Sequence, residues 1–316
     1  MHVTILCRRF PFPEITPRER FIAFRRARPR APRLTRRAIR ARGLEFAVYF
    51  SPEVPGATPL VCINGGLLFD HNLLWPALAP LADRRQVILY DQRGRGQSQV
   101  PPGARAARIE HDAGDLPAIR EAIGLSRWDV LGHSWGGGLA MLAVERDQTA
   151  VRRLVLVDSV GPVGDWQENL LRDALPRLAP GDRAILDRID LEALLAPDPG
   201  IHSAYSRAMY AAWFADPTLA EMFSPPRSSS QTGAAVAARL RGEGYDWRQL
   251  LRAVSVPTLV IHGDRDLLPM SVAKDIVGTL GNARLEIIPD AGHMPCWESP
   301  ELFFTLTESF LSTPSP

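Results

Sequence analysis

Ser134 stands in a sequence pattern that is typical of an activated serine nucleophile. Residues 132–136 follow Gly-x-Ser-x-Gly, with the apolar run Trp128 to Leu131 before them and the helix-forming run Leu139 to Val144 after them. A strand that turns sharply into a helix at such a serine exposes the hydroxyl at the end of the strand. The flanking glycines fit because so tight a turn leaves little room for a Cβ. The pattern is short, so other parts of the chain must supply its context.

His293 and Asp266 are the side chains that we predict as base and acid. A serine hydroxyl is a weak nucleophile until a base accepts its proton, and a third group must hold that base in the correct tautomer. Asp266 follows a predicted strand at residues 257–261, and His293 follows another at residues 284–288. Both loops leave the carboxyl ends of strands, where open sheets of this class bind their ligands. Three chemically complementary groups therefore converge from three distant loops.

Two other aspartates compete with Asp266 for the role of the acid. Asp264 lies nearer the end of the preceding strand. Asp158 stands at the end of a strand of its own, a position from which some hydrolases take the acid. The residue pattern by itself leaves the choice among the three open.

Gly66 and Trp135 are the residues whose backbone N–H groups we expect to form an oxyanion hole. The oxygen of an attacked carbonyl becomes negative and needs donors that are already in place. Trp135 directly follows the serine, and Gly66 lies in the loop after an early strand. Gly65 lets the chain pass close to the substrate, so we also expect a substrate contact there. An ordinary glycine turn is the alternative interpretation of this pair.

Several other polar residues have simpler interpretations. His133 is the variable residue of the serine motif, and we expect it to pack or cap locally. Cys296 lies close to His293 in sequence, but no second base accompanies it, and buried free cysteine is common. Arg93 and Arg95 could form a small anion-binding site. We favour the alternative that they form a salt bridge in their loop, under the edge of the sheet.

Apolar strands alternate with helices along most of the chain, which predicts a parallel sheet covered by helices on both faces. The predicted strands are residues 44–50, 59–63, 86–91, 128–131, 154–158, 257–261 and 284–288. The predicted helices of this core are residues 73–82, 110–123 and 300–311, together with the helix after Ser134.

The pattern changes between residues 161 and 249, where helical segments appear without a strong strand. These segments are residues 168–178, 183–195, 205–214 and 234–240. We interpret residues 161–249 as a helical cap, a lid over the carboxyl edge of the sheet. The core is then residues 44–160 and 250–312.

Residues 1–43 have a different composition, with thirteen arginines against Glu14 and Glu19. Prolines interrupt any helix there and the apolar periodicity is poor, so we expect a weakly ordered arm. A basic arm that binds an acidic partner is the alternative.

Composition restricts the remaining possibilities. The 316 residues, 46% of them hydrophobic, suffice for a substantial core, and the net charge of +2 gives no indication of nucleic-acid binding. The three cysteines Cys7, Cys62 and Cys296 form neither a metal pattern nor a disulfide framework, and no apolar run approaches a membrane span. We therefore predict a cytoplasmic protein without metal, cofactor, nucleic-acid or membrane partner. The oligomeric state is not predicted.

Five motifs are spread over residues 44–312. They are Asn64-Gly65-Gly66, Asp91-Gln92-Arg93-Gly94-Arg95-Gly96-Gln97-Ser98, Gly132-His133-Ser134-Trp135-Gly136-Gly137, Gly263-Asp264-Arg265-Asp266 and Gly292-His293-Met294-Pro295. Together they resemble the α/β-hydrolases of the proline iminopeptidase type. The resemblance implies the α/β-hydrolase fold, with a mostly parallel central sheet and a helical cap between the sixth and seventh strands. It also implies Ser134 as nucleophile, His293 as base and Asp266 as acid, with Gly66 and Trp135 at the oxyanion positions.

The chain departs from that family at two places. Members usually have His-Gly-Gly-Pro-Gly where this chain has Asn64-Gly65-Gly66-Leu67-Leu68. In true iminopeptidases, glutamates of the cap hold the free amino terminus of the substrate. By position, Asp216 and Glu221 are the stand-ins, because amine selectivity requires a buried carboxylate that faces the ammonium.

We therefore predict a serine hydrolase that forms an acyl-enzyme with a small-molecule or short-peptide substrate and releases an N-terminal aminoacyl or prolyl residue. A carboxylesterase or lactonase of the same fold is the alternative, because the same three residues serve esters, lactones and amides. A ligand-binding homologue with low turnover is a further alternative.

Overall fold

An eight-stranded sheet lies at the centre of the computed structural model, which describes residues 15–313 except 29, 104–106 and 224–228. The strands are β1 (Thr35–Ala41), β2 (Leu44–Phe50), β3 (Leu60–Ile63), β4 (Val87–Tyr90), β5 (Trp128–His133), β6 (Val151–Val157), β7 (Thr258–Gly263) and β8 (Ala283–Ile288). Their spatial order is β1-β2-β4-β3-β5-β6-β7-β8. The strands from β3 onward pair in parallel, whereas β2 pairs antiparallel to both β1 and β4.

Helices cover both faces of this sheet. The helices of the described chain are α1 (Pro17–Ala27), α2 (Ile109–Ala122), α3 (Trp135–Arg146), α4 (Gln167–Ala174), α5 (Pro180–Leu186), α6 (Leu191–Leu195), α7 (Pro199–Ala208), α8 (Pro217–Ala220), α9 (Gln231–Glu243), α10 (Arg248–Leu251), α11 (Met270–Thr279), α12 (Pro295–Glu298) and α13 (Pro300–Ser312). Every residue of β3, β4, β5 and β7 is buried, because these strands lie between two helical layers. The predicted fold class is confirmed.

Alternate residues of each central strand belong to different hydrophobic clusters. Val130 packs with the residues of α2 and α3 on one face, whereas Leu131 packs with those of α13 on the other. Successive side chains of a strand point to opposite faces of the sheet. Because helices cover both faces, each central strand contributes to two hydrophobic clusters.

The segment that separates β6 from β7 contains the helices α4 to α10, in the region expected to form the cap. Their boundaries differ from the predicted ones because local capping residues start new helices. Asp190 accepts the N–H of Ala193 at 2.7 Å and begins α6, which divides the predicted helix at residues 183–195. Asp198 likewise begins α7, four residues after α6 ends.

One predicted core helix, at residues 73–82, is wrong. The structure has two short 3₁₀ turns instead, at His71–Leu73 and Ala79–Asp83. Pro76 and Pro80 lack the N–H that a continuous helix needs at its interior positions, so the segment breaks.

Residues 1–43, expected as a weakly ordered arm, contribute α1 and β1. Pro17 begins α1 instead of breaking it, behind a capping box formed by Thr16 and Glu19. Strand β1 pairs with β2 along its full length. Only Ile39 and Ala41 of β1 are buried, so the arginine-rich strand shows little apolar alternation in the sequence. The boundary at residue 43 therefore falls inside a hairpin, and residues 1–14 lie outside the described part of the chain.

Among the described residues, no helix has the length and apolar character needed to cross a bilayer.

Candidate active site

Ser134 occupies the turn between β5 and α3 in a backbone conformation that a side chain rarely adopts. Its φ is 55° and its ψ is −125°, which costs free energy for any residue except glycine. Its N–H donates to the carbonyl of Val157 at 3.0 Å. A Cβ on Gly136 would overlap the carbonyl of Ile63, so the motif glycine is needed for close packing of α3 against β3. The surrounding structure thus holds the serine in a strained turn.

His293 and Asp266 are joined by hydrogen bonds. His293 Nδ1 lies 2.9 Å from Asp266 Oδ2 and 3.0 Å from Oδ1. A carboxylate only accepts, so Nδ1 carries the proton and Nε2 has a free lone pair. Ser134 and His293 line the same cavity. No hydrogen bond joins these two side chains, both of which the structure describes, and in a free enzyme such a bond commonly tightens only when substrate is bound.

Asp158, one of the competing acids, lies against Asp266 without contacting His293. Its Oδ1 accepts the N–H of Gly263 at 2.8 Å and lies 3.5 Å from His262 Nδ1. Burial raises the pKa of both carboxyls, and the charge of Asp266 raises the pKa of Asp158 further. The pKa of Asp158 is raised further than that of Asp266, so Asp266 is the member of the pair that ionises more readily, and it is the one in contact with His293.

Asp264, the other competing acid, is exposed to solvent. Its carboxyl makes none of the hydrogen bonds that hold the His293 ring. Of the three aspartates among which the sequence pattern left the choice open, Asp266 is therefore the one that is hydrogen-bonded to His293.

Among the described residues, two clusters, one partly and one fully buried, contain the side-chain types that ligate metals. They are Asp70 with His71 and Asp91, and Asp158 with His262 and Asp266. In the first, the Asp91 carboxylate already accepts from Tyr49 at 3.0 Å and from the N–H of Gln97 at 2.8 Å. In the second, a metal would compete with His293 for Asp266. Their donor atoms thus serve internal hydrogen bonds.

Glu298 is a residue that sequence reasoning missed. It is fully buried, and its carboxyl accepts the N–H groups of Gly292 at 2.9 Å, Met294 at 3.2 Å and Ala215 at 2.6 Å. Burial raises its pKa to about 7. Because Gly292 and Met294 flank His293, this one carboxyl fixes the loop of His293 and ties it to the segment between β6 and β7. The only signal in the sequence is an acid shortly after the histidine.

His133 bridges two distant loops, although we expected it to pack or cap locally. Its Nε2–H donates to the carbonyl of His293 at 2.8 Å, while the N–H of His293 donates to the carbonyl of Trp213 at 2.8 Å. Burial lowers the pKa of His133 to about 3, so its ring is neutral. The backbone of the candidate base is therefore held by both the serine turn and the cap.

Gly66 and Trp135, the predicted oxyanion residues, both line the cavity beside Ser134. Trp135 is the first residue of α3, so its N–H has no acceptor within the helix and lies at the positive end of the helix dipole. Gly66 has φ +76°, and a Cβ there would collide with the ring of Phe69. Gly65 does not line the cavity, but a Cβ on it would lie 2.6 Å from the Ser134 Cβ.

Arg93 and Arg95 form buried salt bridges, and Arg95 also contacts the loop that contains Gly66. Arg95 Nε donates to the carbonyl of Leu67 at 2.7 Å, and its guanidinium pairs with Asp112 at 3.0 Å. Arg93 Nε donates to Asp115 at 2.6 Å. Arg95, in the motif from Asp91 to Ser98, therefore supports the loop of Gly66 from inside the protein.

The cavity has a volume of about 120 Å³ and is lined mainly by apolar and aromatic side chains, many of them from the segment between β6 and β7. None of the lining residues that the structure describes is an aspartate or a glutamate. Asp216 instead caps α8, where it accepts the N–H of Thr218 at 2.9 Å. Glu221 is exposed. The structure therefore does not bring the two expected stand-ins to the cavity.

Comparison with known proteins shows which proteins this chain is similar to. A sequence profile of the alpha/beta hydrolase fold matches residues 58–300. Proline iminopeptidase of Lactobacillus delbrueckii subsp. bulgaricus is 28% identical over 263 residues, which cover 77% of this chain and 86% of that protein. A 2-hydroxymuconate semialdehyde hydrolase of Pseudomonas putida is 32% identical over 235 residues, which cover 72% of this chain and 77% of that protein.

Among solved structures, proline iminopeptidase of Mycobacterium smegmatis has a TM-score of 0.63 at 25% identity, covering 88% of this chain and 97% of that one. The enol-lactonase of Burkholderia xenovorans has a TM-score of 0.64 at 22% identity, covering 88% of this chain and 100% of that one, and shows likeness of fold alone. The resemblance to proline iminopeptidases that the motifs indicate is confirmed. Because the family profile extends from β3 through the loops of Asp266 and His293, the chain belongs to the α/β-hydrolase family and is a hydrolase.

Proposed function

We propose that this protein is a serine hydrolase that cleaves small, largely apolar esters or lactones through an acyl-enzyme on Ser134. One observation supports this proposal above the others. Ser134 and His293 line a mostly apolar cavity whose described wall contains no carboxylate, and Asp266 orients the ring of that histidine. Such a wall binds the apolar part of an acyl group by burial of apolar surface.

The proposed reaction begins when Ser134 Oγ attacks the substrate carbonyl and His293 Nε2 accepts the hydroxyl proton. Burial lowers the pKa of His293 to about 3, so the ring is neutral at neutral pH and its Nε2 lone pair is free to accept a proton. Asp266 stabilises the imidazolium that forms, and the N–H groups of Gly66 and Trp135 stabilise the oxyanion. His293 then protonates the departing alkoxide, and a water molecule activated by the same ring releases the acid and restores Ser134.

Release of an N-terminal amino acid is the second candidate, and the names of the relatives favour it. That activity needs a negative group in the cavity to hold the substrate ammonium. Asp216 and Glu221 are not among the cavity-lining residues. We therefore expect aminoacyl amides to be poorer substrates than short esters.

Labelling by a fluorophosphonate probe, together with turnover of p-nitrophenyl butyrate and prolyl-p-nitroanilide, tests the proposal. We expect the wild type to label and to hydrolyse the ester, and Ser134→Ala to do neither. Ser159→Ala is the matched control, because Ser159 is also buried but does not line the cavity, and its hydroxyl donates to the carbonyl of Val160 at 2.9 Å.

Two results would count against the proposal. Labelling that persists in Ser134→Ala would remove this serine as nucleophile. Faster turnover of the anilide than of the ester would contradict the proposed esterase activity and support the aminopeptidase activity.

A further inference from the structure

Arg241 lies in the last turn of α9 and lines the cavity that contains Ser134. Ala237, four residues earlier, lines it too, so one face of α9 forms part of the wall. The guanidinium carbon of Arg241 lies 5.4 Å from the ring centroid of Tyr205, which also lines the cavity. A flat cation is thus held against an aromatic side chain of the binding site.

The guanidinium of Arg241 makes no ion pair with any carboxylate in the described part of the chain. Arg239, on the same helix, pairs with Glu243 at 2.6 Å. Arg241 is half-buried, so water solvates it only in part. A positive group in such a position is stabilised when a carboxylate of a ligand pairs with it.

The remaining polar groups of the cavity do not compensate this charge. His133, His202 and His293 line the cavity, and burial lowers the pKa of all three. They are therefore neutral at neutral pH, and the described lining contains no acid. Arg241 is thus the one full charge among the lining residues that the structure describes.

We propose that Arg241 binds a carboxylate on the substrate, so that the enzyme prefers esters or lactones whose acyl chain ends in an anionic group. This inference rests on the proposed function, because it concerns the substrate of the same cavity. A guanidinium attracts a carboxylate and repels the ammonium of an amino-terminal substrate. The apolar side chains between the reacting groups and α9 would contact the middle of the acyl chain.

The test compares substrates that differ only in that charge. The free acids are the mono-p-nitrophenyl esters of adipic and suberic acid, and the neutral partners carry a methyl ester on the distal carboxyl. After subtraction of spontaneous hydrolysis, we expect kcat/KM of the wild type to favour the acids about tenfold to hundredfold, the range of a partly desolvated charge pair. Arg241→Gln should lower kcat/KM for the acids at least about tenfold more than for the methyl esters.

Two further variants make the comparison specific. Arg241→Lys keeps the charge without the planar fork, so it should retain part of the preference for acids. Arg239→Gln is the matched control, because it removes a cation that lies on the same helix but outside the cavity. This variant should keep the preference of the wild type for the acids over the methyl esters. Equal kcat/KM for acid and methyl ester in the wild type would overturn the inference, and so would an equal loss on both in Arg241→Gln.

Failure of the proposed function gives a different result. If the wild type hydrolyses neither series, or if Ser134→Ala hydrolyses both, the catalytic assignment is wrong. Calorimetric titration with monomethyl adipate then tests Arg241 independently. Saturable binding that Arg241→Gln abolishes would support the carboxylate site, and no binding by the wild type would overturn it.

Discussion

Replacement of Glu298 by alanine should affect both stability and catalysis. The carboxyl accepts three backbone N–H groups, those of Ala215, Gly292 and Met294, and the residue is fully buried. Glu298→Ala leaves those donors without an acceptor, at about 1 kcal/mol or more for each. We therefore expect the free energy of unfolding to fall by about 3 kcal/mol or more, which for a chain of this length lowers Tm by about 5 °C.

The same substitution should lower catalysis, because Gly292 and Met294 flank His293. A base displaced by about 1 Å costs on the order of 10²-fold in rate. We expect kcat to fall more than KM changes, since the cavity wall remains. Glu298→Gln keeps one acceptor oxygen and should lie between the wild type and alanine.

Urea denaturation and ester hydrolysis measure the two effects, and Glu301→Ala is the control. Glu301 is exposed in the first turn of α13, so its loss should change neither. Hydrogen exchange at Gly292 and Met294 should accelerate in Glu298→Ala. A variant as stable and as active as the wild type would refute the view that Glu298 holds the histidine loop.

Three further predictions follow from the geometry. Because burial lowers the pKa of His293 from 6.5 to about 3, the base remains neutral in mild acid, and the acidic limb of the kcat/KM profile should lie well below pH 6.5; a limb at or above that value would contradict this. Asp266→Asn should lower kcat about 10⁴-fold because the tautomer of His293 is lost, whereas Asp264→Asn, at an exposed site, should leave steady-state rates within about twofold; equal effects would reject Asp266 as the acid. Gly66→Ala should cost about 1–3 kcal/mol in urea denaturation and reduce kcat, because φ is +76° and a ring occupies the space; Gly43→Ala, at the same φ with nothing within 4 Å, isolates the backbone strain and should cost less.

Much of the fold follows from short-range patterns. The central strands are continuous apolar runs, and the motif residues Ser134, Asp266 and His293 follow strand ends directly, so both the sheet and the position of the site at its carboxyl edge could be predicted from the sequence. The helix that the apolar spacing predicts at residues 73–82 is absent, because Pro76 and Pro80 interrupt it and two 3₁₀ turns form instead. Strand β1 was not predicted, because its exposed arginines leave little apolar alternation in the sequence. Backbone hydrogen bonds to β2 hold the strand instead.

Residue types and their order along the chain determined which side chains are able to act as nucleophile, base and acid. Tertiary structure decided what depends on distance and burial: that Asp266 and not Asp264 or Asp158 contacts His293, that Glu298 holds the loop, and that Asp216 caps a helix. The charge of the cavity also came from the tertiary structure, which brings Arg241 to the wall and leaves the expected carboxylates outside. The physical reason is that hydrogen bonds and ion pairs act over a few ångströms, and the sequence does not state which distant residues come that close.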